Sequence, residues 1–252
     1  GIYPHTLWET KDAIWWAFPC MPFKGQFKAV TTIPPQWYQY TLHTYREDRF
    51  SEVPGKDEIE RVRKKMQSPG VFPGDSSGNR NKTTHVAIDT KAAKTLFQSD
   101  EPGVIRQLRL VPPSINSAVM DSVFIRITTD GKTTAYLPLS FFFGGYAKVN
   151  MQNARGLPAG FDGKTLYNYF PMPYWKSFRI ELENRSVAPV DFSSDINWSD
   201  TNPYPANATG TFCVQYNPRT PVKAGAPDFV NLSVKGSGVM VGVVRRRVRR
   251  TA

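Results

Sequence analysis

Residues Tyr167 to Asn184 read YNYFPMPYWKSFRIELEN, an aromatic, proline-studded loop that turns into an alternating strand. Phe178, Ile180 and Leu182 alternate with Arg179, Glu181 and Glu183, so one strand face is built to go inward and the other to meet solvent. A shorter echo, FPCMPFKGQFKAV, runs from Phe18 to Val30. Aligning Pro22 with Pro173 matches Phe18-Pro19 with Phe170-Pro171, Met21 with Met172, Phe23 with Tyr174, Lys24 with Trp175 or Lys176, and Phe27 with Phe178; Cys20 is inserted. The two blocks lie roughly 150 residues apart, the length of one ordinary domain. The pattern predicts two similar β units in tandem.

Outward from that stretch, short strands recur: His85 to Asp89, Ala93 to Gln98, Val104 to Val111, Ser122 to Thr129, and Thr134 to Leu139 after an Asp130-Gly131 turn. Thr211 to Tyr216, Phe229 to Val234 and Val239 to Val244 read as later strands, and Val149 to Lys164 as a long polar loop. Phe141, Phe142 and Phe143, before Gly144-Gly145, read as core packing at a sheet end rather than a pocket lining. Upstream, Ile14 to Phe23 is an apolar run broken by prolines, hence a loop or edge. Phe27 to Ile33 and Trp37 to Tyr45 read as strands, and Asp57 to Gln67 as one short amphipathic helix with acids ahead of bases. Strands at this spacing predict an all-β fold of jelly-roll or β-sandwich units, the first incomplete. The expected boundaries are a partial first unit with its helix at 1–67, a Gly-, Pro- and Ser-rich linker at 68–83, a second unit at 84–244 and a basic tail at 245–252.

The chain has 252 residues, 13% aromatic and 21% charged, a globular composition with a net charge of +11. The excess is uneven: Arg245, Arg246, Arg247, Arg249 and Arg250 crowd the last ten residues. That tail reads as a solvated end, a last strand, a basic arm for nucleic acid, or, in Arg247-Val-Arg-Arg250, a furin-type cleavage site. No run of 18 apolar residues predicts a transmembrane helix. The opening GIYPHTLWETKD has neither signal-peptide shape nor initiator Met, as expected of a processed or partial piece. Five sequons, at Asn81, Asn184, Asn197, Asn207 and Asn231, point to a secreted or lumenal glycoprotein, or else to a surface rich in Asn, Ser and Thr. Cys20 and Cys213 lack metal-ligand spacing and read as a disulfide or as two buried thiols.

The three histidines are scattered, and no HExxH, GxSxG, phosphate-binding glycine loop or GxGxxG occurs. The sequence therefore predicts no metal, no cofactor and no triad. Glu181 and Glu183, two apart on a strand, share one face at about the separation that glycosidase carboxyls use, although exposed strand acids beside Arg179 read first as a solvated face. Trp8, Trp15, Trp16, Trp37, Tyr174 and Trp175 are the candidate rings for stacking on sugars or for a subunit interface. Nucleic-acid stacking would need such rings interleaved with Lys and Arg, whereas the arginines sit in the tail.

PGVIRQLRL from Pro102, VFIRITTDGKTTAYLPLSFFFG from Val123 and YFPMPYWKSFRIELEN from Tyr169 together resemble the domain of glycoside hydrolase family 172. GSGVMVG, from Gly236, is similar to a later strand of that family. The resemblance covers roughly residues 102–244, and more weakly the repeat at 14–45. It implies jelly-roll domains assembled as trimers or larger rings, acting on fructo- or arabinofuranosides through two glutamates. The family's glutamate segments are absent from this sequence, Ser140 replaces the Asp of its Leu-Gly-Asp-Phe-Phe motif, and Lys132 replaces the acid after Asp-Gly. The expectation is a secreted, self-assembling jelly-roll subunit with a structural or carbohydrate-binding role. The alternatives are a furanosidase whose glutamates lie outside this chain and a capsid protein with an arginine-rich arm.

Overall fold

The computed structural model describes residues 8–11, 14–17, 56–114, 117–144, 156–218 and 232–244. The chain divides into two units, Gly1–Ser68 and Pro69–Ala252.

In the first unit, β1 (Trp8–Lys11) pairs antiparallel with β2 (Ile14–Ala17), with Glu9 opposite Trp16 and Thr10 opposite Trp15. The start of the run read as a proline-broken loop is therefore a strand, because the prolines begin only at Pro19. Helix α1 (Lys56–Met66) carries Asp57 and Glu58 in its first turn and Arg63, Lys64 and Lys65 in its last, which suits the helix dipole. The Arg63 Nε donates to Glu60 at 2.6 Å one turn back. Val62, on the predicted apolar face, is 40% exposed.

The second unit is a two-sheet sandwich. Its strands are β3 (Arg80–Ile88), β4 (Ala93–Ser99), β5 (Gly103–Val111), β6 (Val123–Thr129), β7 (Lys132–Pro138), β8 (Ala159–Phe161), β9 (Leu166–Asn168), β10 (Met172–Tyr174), β11 (Phe178–Asn184) and β12 (Val190–Ser199). Two short helices, α2 (Ser117–Ser122) and α3 (Leu139–Phe142), flank the β6–β7 hairpin. One sheet runs β3-β12-β5-β9-β8, with β10 also on β5, and the other runs β4-β11-β6-β7. The antiparallel pairs are nested: β3 with β12, β4 with β11, β5 with β9 and β10, and β6 with β7. A long hairpin of nested pairs, rolled so that alternate pairs fall in opposite sheets, is a jelly roll.

Alternation builds the core. Val123, Ile125, Ile127 and Thr129 of β6, and Phe178, Ile180, Leu182 and Asn184 of β11, are buried, while the residues between them reach outward. Ile88, Ile105, Leu108, Leu110, Phe192 and Ile196 come from the facing sheet. Each such aliphatic or aromatic side chain contributes about 1.5–3 kcal/mol on burial. The β6–β7 turn has positive φ at both Asp130 (50°) and Gly131 (79°), the pairing that a two-residue hairpin needs. Phe142 and Phe143 are buried and Phe141 half-buried, so the triple phenylalanine is core.

Several expectations are corrected. Within the stretch expected as a linker at 68–83, β3 begins at Arg80, and the residues before it pack on the second unit: the Tyr169 hydroxyl donates to the Gly70 carbonyl at 2.5 Å, Phe72 packs edge-on to Tyr169 at 5.5 Å, and the Asn79 amide donates to Asn197 at 2.9 Å. The stretch read as a polar loop, 149–164, contains β8. Thr211 to Tyr216 forms no regular strand. It runs beside β7 through one backbone bond, from the Val214 N–H to the Thr134 carbonyl at 2.8 Å, while Phe212, Val214 and Tyr216 pack on the core. Alternation there secured burial without a ladder. Residues 232–244 also form no strand, and Val239 and Val241 are exposed. The strands read at 27–33 and 37–45 and the start of that at 229–234 lie outside the described residues.

Candidate functional site

The stretch that decided the fold also carries the site. Between β10 and β11 the chain turns at Trp175, Lys176 and Ser177, and this turn is held by Asp130 from the β6–β7 hairpin. The Asp130 carboxylate accepts the backbone N–H groups of Trp175 (3.1 Å), Lys176 (2.7 Å) and Ser177 (3.1 Å), and the Asp130 N–H donates back to the Ser177 carbonyl at 2.8 Å. A carboxylate satisfying three otherwise orphaned donors fixes the turn's path.

Trp175 is half-buried, and its indole N–H is committed to the Tyr204 carbonyl at 3.0 Å. The Tyr204 loop is itself tied down: the Asn202 amide donates to the Tyr174 carbonyl at 2.9 Å and accepts the Tyr204 N–H at 3.0 Å. Arg106 reaches the same tyrosine, its guanidinium 5.8 Å from the ring centre and 3.4 Å from the hydroxyl. Trp175, Tyr204 and Arg106, all half-exposed, thus form a fixed patch of two rings and a guanidinium.

Tyr174, the neighbouring candidate, is not part of this surface. It is 1% exposed and stacks on Phe178 at 5.0 Å. Burial pushes its hydroxyl up from the ordinary tyrosine value. A side chain at Gly103 would meet the Tyr174 hydroxyl at 2.5 Å and the Ser199 carbonyl at 2.8 Å, so glycine is required where β5 passes. Trp15 and Trp16 lie in β2, and Trp37 lies outside the described residues.

The acid pair of β11 is built into an ion-pair network on the outer face of its sheet. Glu183 accepts from the Tyr136 hydroxyl at 2.5 Å, the Arg185 Nε at 2.6 Å and the Arg126 guanidinium at 3.3 Å. Arg126 lies 4.0 Å over the Tyr136 ring and Arg185 4.1 Å over Phe124. Burial pushes the Glu183 carboxyl up, but the Tyr136 and Arg185 hydrogen bonds, the Arg185 charge and the Arg126 contact outweigh it and hold it below the ordinary glutamate value. A glycosidase's general acid needs the opposite shift. Glu181 pairs with Arg179 at 3.7 Å.

The sequons separate by burial. Asn184 is fully buried; its amide donates to the carbonyls of Ile88, Asp89 and Ala188, and its oxygen accepts from the Ser186 N–H and hydroxyl. It has no room for a glycan, because the end of β11 uses it to satisfy the β3–β4 and β11–β12 turns. Asn81 and Asn197 face each other across β3 and β12, and Asn207 stands in an exposed turn. Cys213 is exposed and forms no disulfide among the described residues. Cys20, Asn231 and the arginines Arg245, Arg246, Arg247, Arg249 and Arg250 lie outside the described residues. Among the described residues, no three His, Cys, Asp or Glu side chains gather as metal ligands, and no helix is long and apolar enough to cross a membrane.

Sequence reasoning missed Arg106, Asn202 and Tyr204. Pattern alone hides a residue that a bulge turns outward, and Asn202 and Tyr204 sit in TNPYPANATG, which carries no periodicity.

Among known proteins, a family profile described as GH172 domain-like matches residues 78–195. No curated protein matches the chain. Solved structures that overlap it include the VP2 subviral particle of infectious bursal disease virus (TM-score 0.26, 12% identity, 49% of this chain and 33% of that one). The Aeromonas sobria serine protease overlaps both in complex with its chaperone (TM-score 0.27, 9% identity, 57% and 30%) and alone (0.25, 11%, 47% and 27%). The chain therefore spans a third or less of the length of these structures. Over residues 78–195 the chain resembles the GH172 domain, and its nested strand order is the jelly roll that this resemblance implies.

Proposed function

We propose that the protein is a carbohydrate-binding jelly-roll subunit, secreted and self-associating, related to furanoside-acting glycoside hydrolases. The observation that carries the reading is Trp175. Its backbone is fixed by Asp130 and its indole edge by Tyr204, so a half-exposed ring is held rigid with no freedom to lose on binding. Flat aromatic faces stack on sugar rings, and preorganised rings bind at low entropic cost. The network around Glu183 supports a binding role over acid catalysis on that face, since its carboxylate is stabilised in the ionised form.

The test is calorimetric titration of the protein with arabinan and inulin oligosaccharides. Trp175→Phe, which keeps a ring, retains most of the affinity, and Trp175→Ala loses about tenfold or more. Equal binding by wild type and Trp175→Ala, or no binding by either, would overturn the proposal.

A further inference from the structure

Arg106 stands out because the fold goes out of its way to present it. On one flank of β5, Asn197 of β12 faces Gln107 and Trp198 faces Ile105, so Arg106 is an extra residue in a β-bulge. On the other flank, β10 pairs only as far as Ile105 and β9 only from Leu108, so the bulge coincides with the gap between those strands. Ile105 and Leu108 are both fully buried on the inner face, although they lie three residues apart. Strict alternation would send them to opposite faces; the bulge absorbs the mismatch and turns both Arg106 and Gln107 outward.

The two outward side chains have different surroundings. The Gln107 amide donates to Asp195 at 3.1 Å. Among the described residues, the Arg106 guanidinium hydrogen-bonds to the Tyr204 hydroxyl and packs against its ring, and no carboxylate pairs with it. Of the acids nearby, Asp200 is committed to Arg80 at 2.6 Å and to the Trp198 indole at 3.0 Å, and Asp130 to the three N–H groups of the turn, while Asp100 and Glu101 are exposed in the β4–β5 turn, next along from the Gly103–Tyr174 and Ser99–Phe178 pairs. Lys176, next to Trp175, is exposed and has no ion pair among the described residues. The patch therefore joins a guanidinium with no carboxylate partner among the described residues to a fixed ring. A guanidinium with most of its fork unused matches a carboxylate bidentately.

We infer that the Trp175 patch selects acidic sugars, a uronate carboxylate lying on the Arg106 fork while a sugar ring stacks on the indole. This rests on the carbohydrate-binding reading and adds the ligand's charge. Arg106 and Trp175 meet on opposite ends of Tyr204, so the two contacts fall on neighbouring parts of one short oligosaccharide.

The experiment titrates galacturonate oligosaccharides, and arabinan oligosaccharides of matched length, at physiological salt. Wild type is expected to bind the uronate about tenfold or more tightly than the neutral sugar. Arg106→Met removes that preference, so that the variant binds the two sugars alike. Arg106→Lys, a point charge without the fork, recovers only part of it. Arg106 leaves no buried partner behind, so the variants fold, and unchanged thermal melts confirm this. A variant with the five tail arginines changed to Gln keeps the preference. Equal binding of both sugars, sensitive to Trp175→Ala, would overturn the acidic-sugar inference and leave the carbohydrate-binding reading standing. A preference lost with the tail instead of with Arg106 would mark polyelectrolyte attraction and overturn it too. Binding of neither sugar would remove both.

Discussion

Replacing Asp130 tests how the sandwich holds its candidate site. Its carboxylate takes three backbone N–H groups from Trp175, Lys176 and Ser177 at 2.7–3.1 Å, and its own φ is 50°. Hydrogen bonds to a charged acceptor contribute about 1.5–3 kcal/mol each when buried. The Lys176 bond is exposed, so the set is discounted to about 3 kcal/mol. Alanine also suits positive φ poorly, which adds roughly 1 kcal/mol. Asp130→Ala should therefore destabilise the protein by about 4 kcal/mol in urea unfolding. Asp130→Asn keeps one acceptor oxygen and tolerates the left-handed conformation, so it should cost only about 1–2 kcal/mol. Asp130→Gly relieves the strain but not the lost bonds and should fall between. Each variant should also weaken sugar binding at Trp175, in the same order. Losses below about 0.5 kcal/mol for Ala, or equal losses for Ala and Asn, would refute the clamp.

Other consequences are equally specific. Glu183 has a lowered carboxyl pKa, so its contribution is complete above the ordinary glutamate value of 4.5 and is lost as pH falls through the lower folded value. Glu183→Gln should then reduce stability at neutral pH by about 1–2 kcal/mol, discounted for partial exposure, and flatten the acid limb of a stability–pH curve; an unchanged limb would count against the network. Asn184→Ala strips three carbonyls, that of Ile88 buried and those of Asp89 and Ala188 part-buried, of a donor and should cost about 2–3 kcal/mol by denaturant melt. In a eukaryotic secretory host, peptide mass mapping should find glycan on Asn207 and none on Asn184, and an occupied Asn184 would contradict the burial described above.

The sandwich was legible wherever one strand face is buried and the other wet. β6, β7 and β11 follow from alternation, and the hairpin joining β6 to β7 from Asp130-Gly131, because those signals are local. Long-range pairing decided the rest. Asn184 reads as a surface sequon because nothing nearby in sequence announces that β11 ends against the β3–β4 turn. Arg106 reads as an ordinary strand position until the register of β12 shows the bulge. Tyr174 and Trp175 are adjacent and chemically alike, yet one is core and the other surface, a distinction set by β10 pairing with β5. Val239 to Val244 has the composition of a buried strand but stays exposed, since no edge among the described residues pairs with it.

The most direct test follows the indole N–H of Trp175 by NMR. The chain has 6 tryptophans, and Trp175→Phe assigns the signal by its disappearance. On addition of a sugar, the account predicts a saturable shift of that resonance, larger than at any other indole and tighter for uronate than for neutral oligosaccharides. A Trp175 signal that stays fixed while another indole moves, or while none moves, would contradict it.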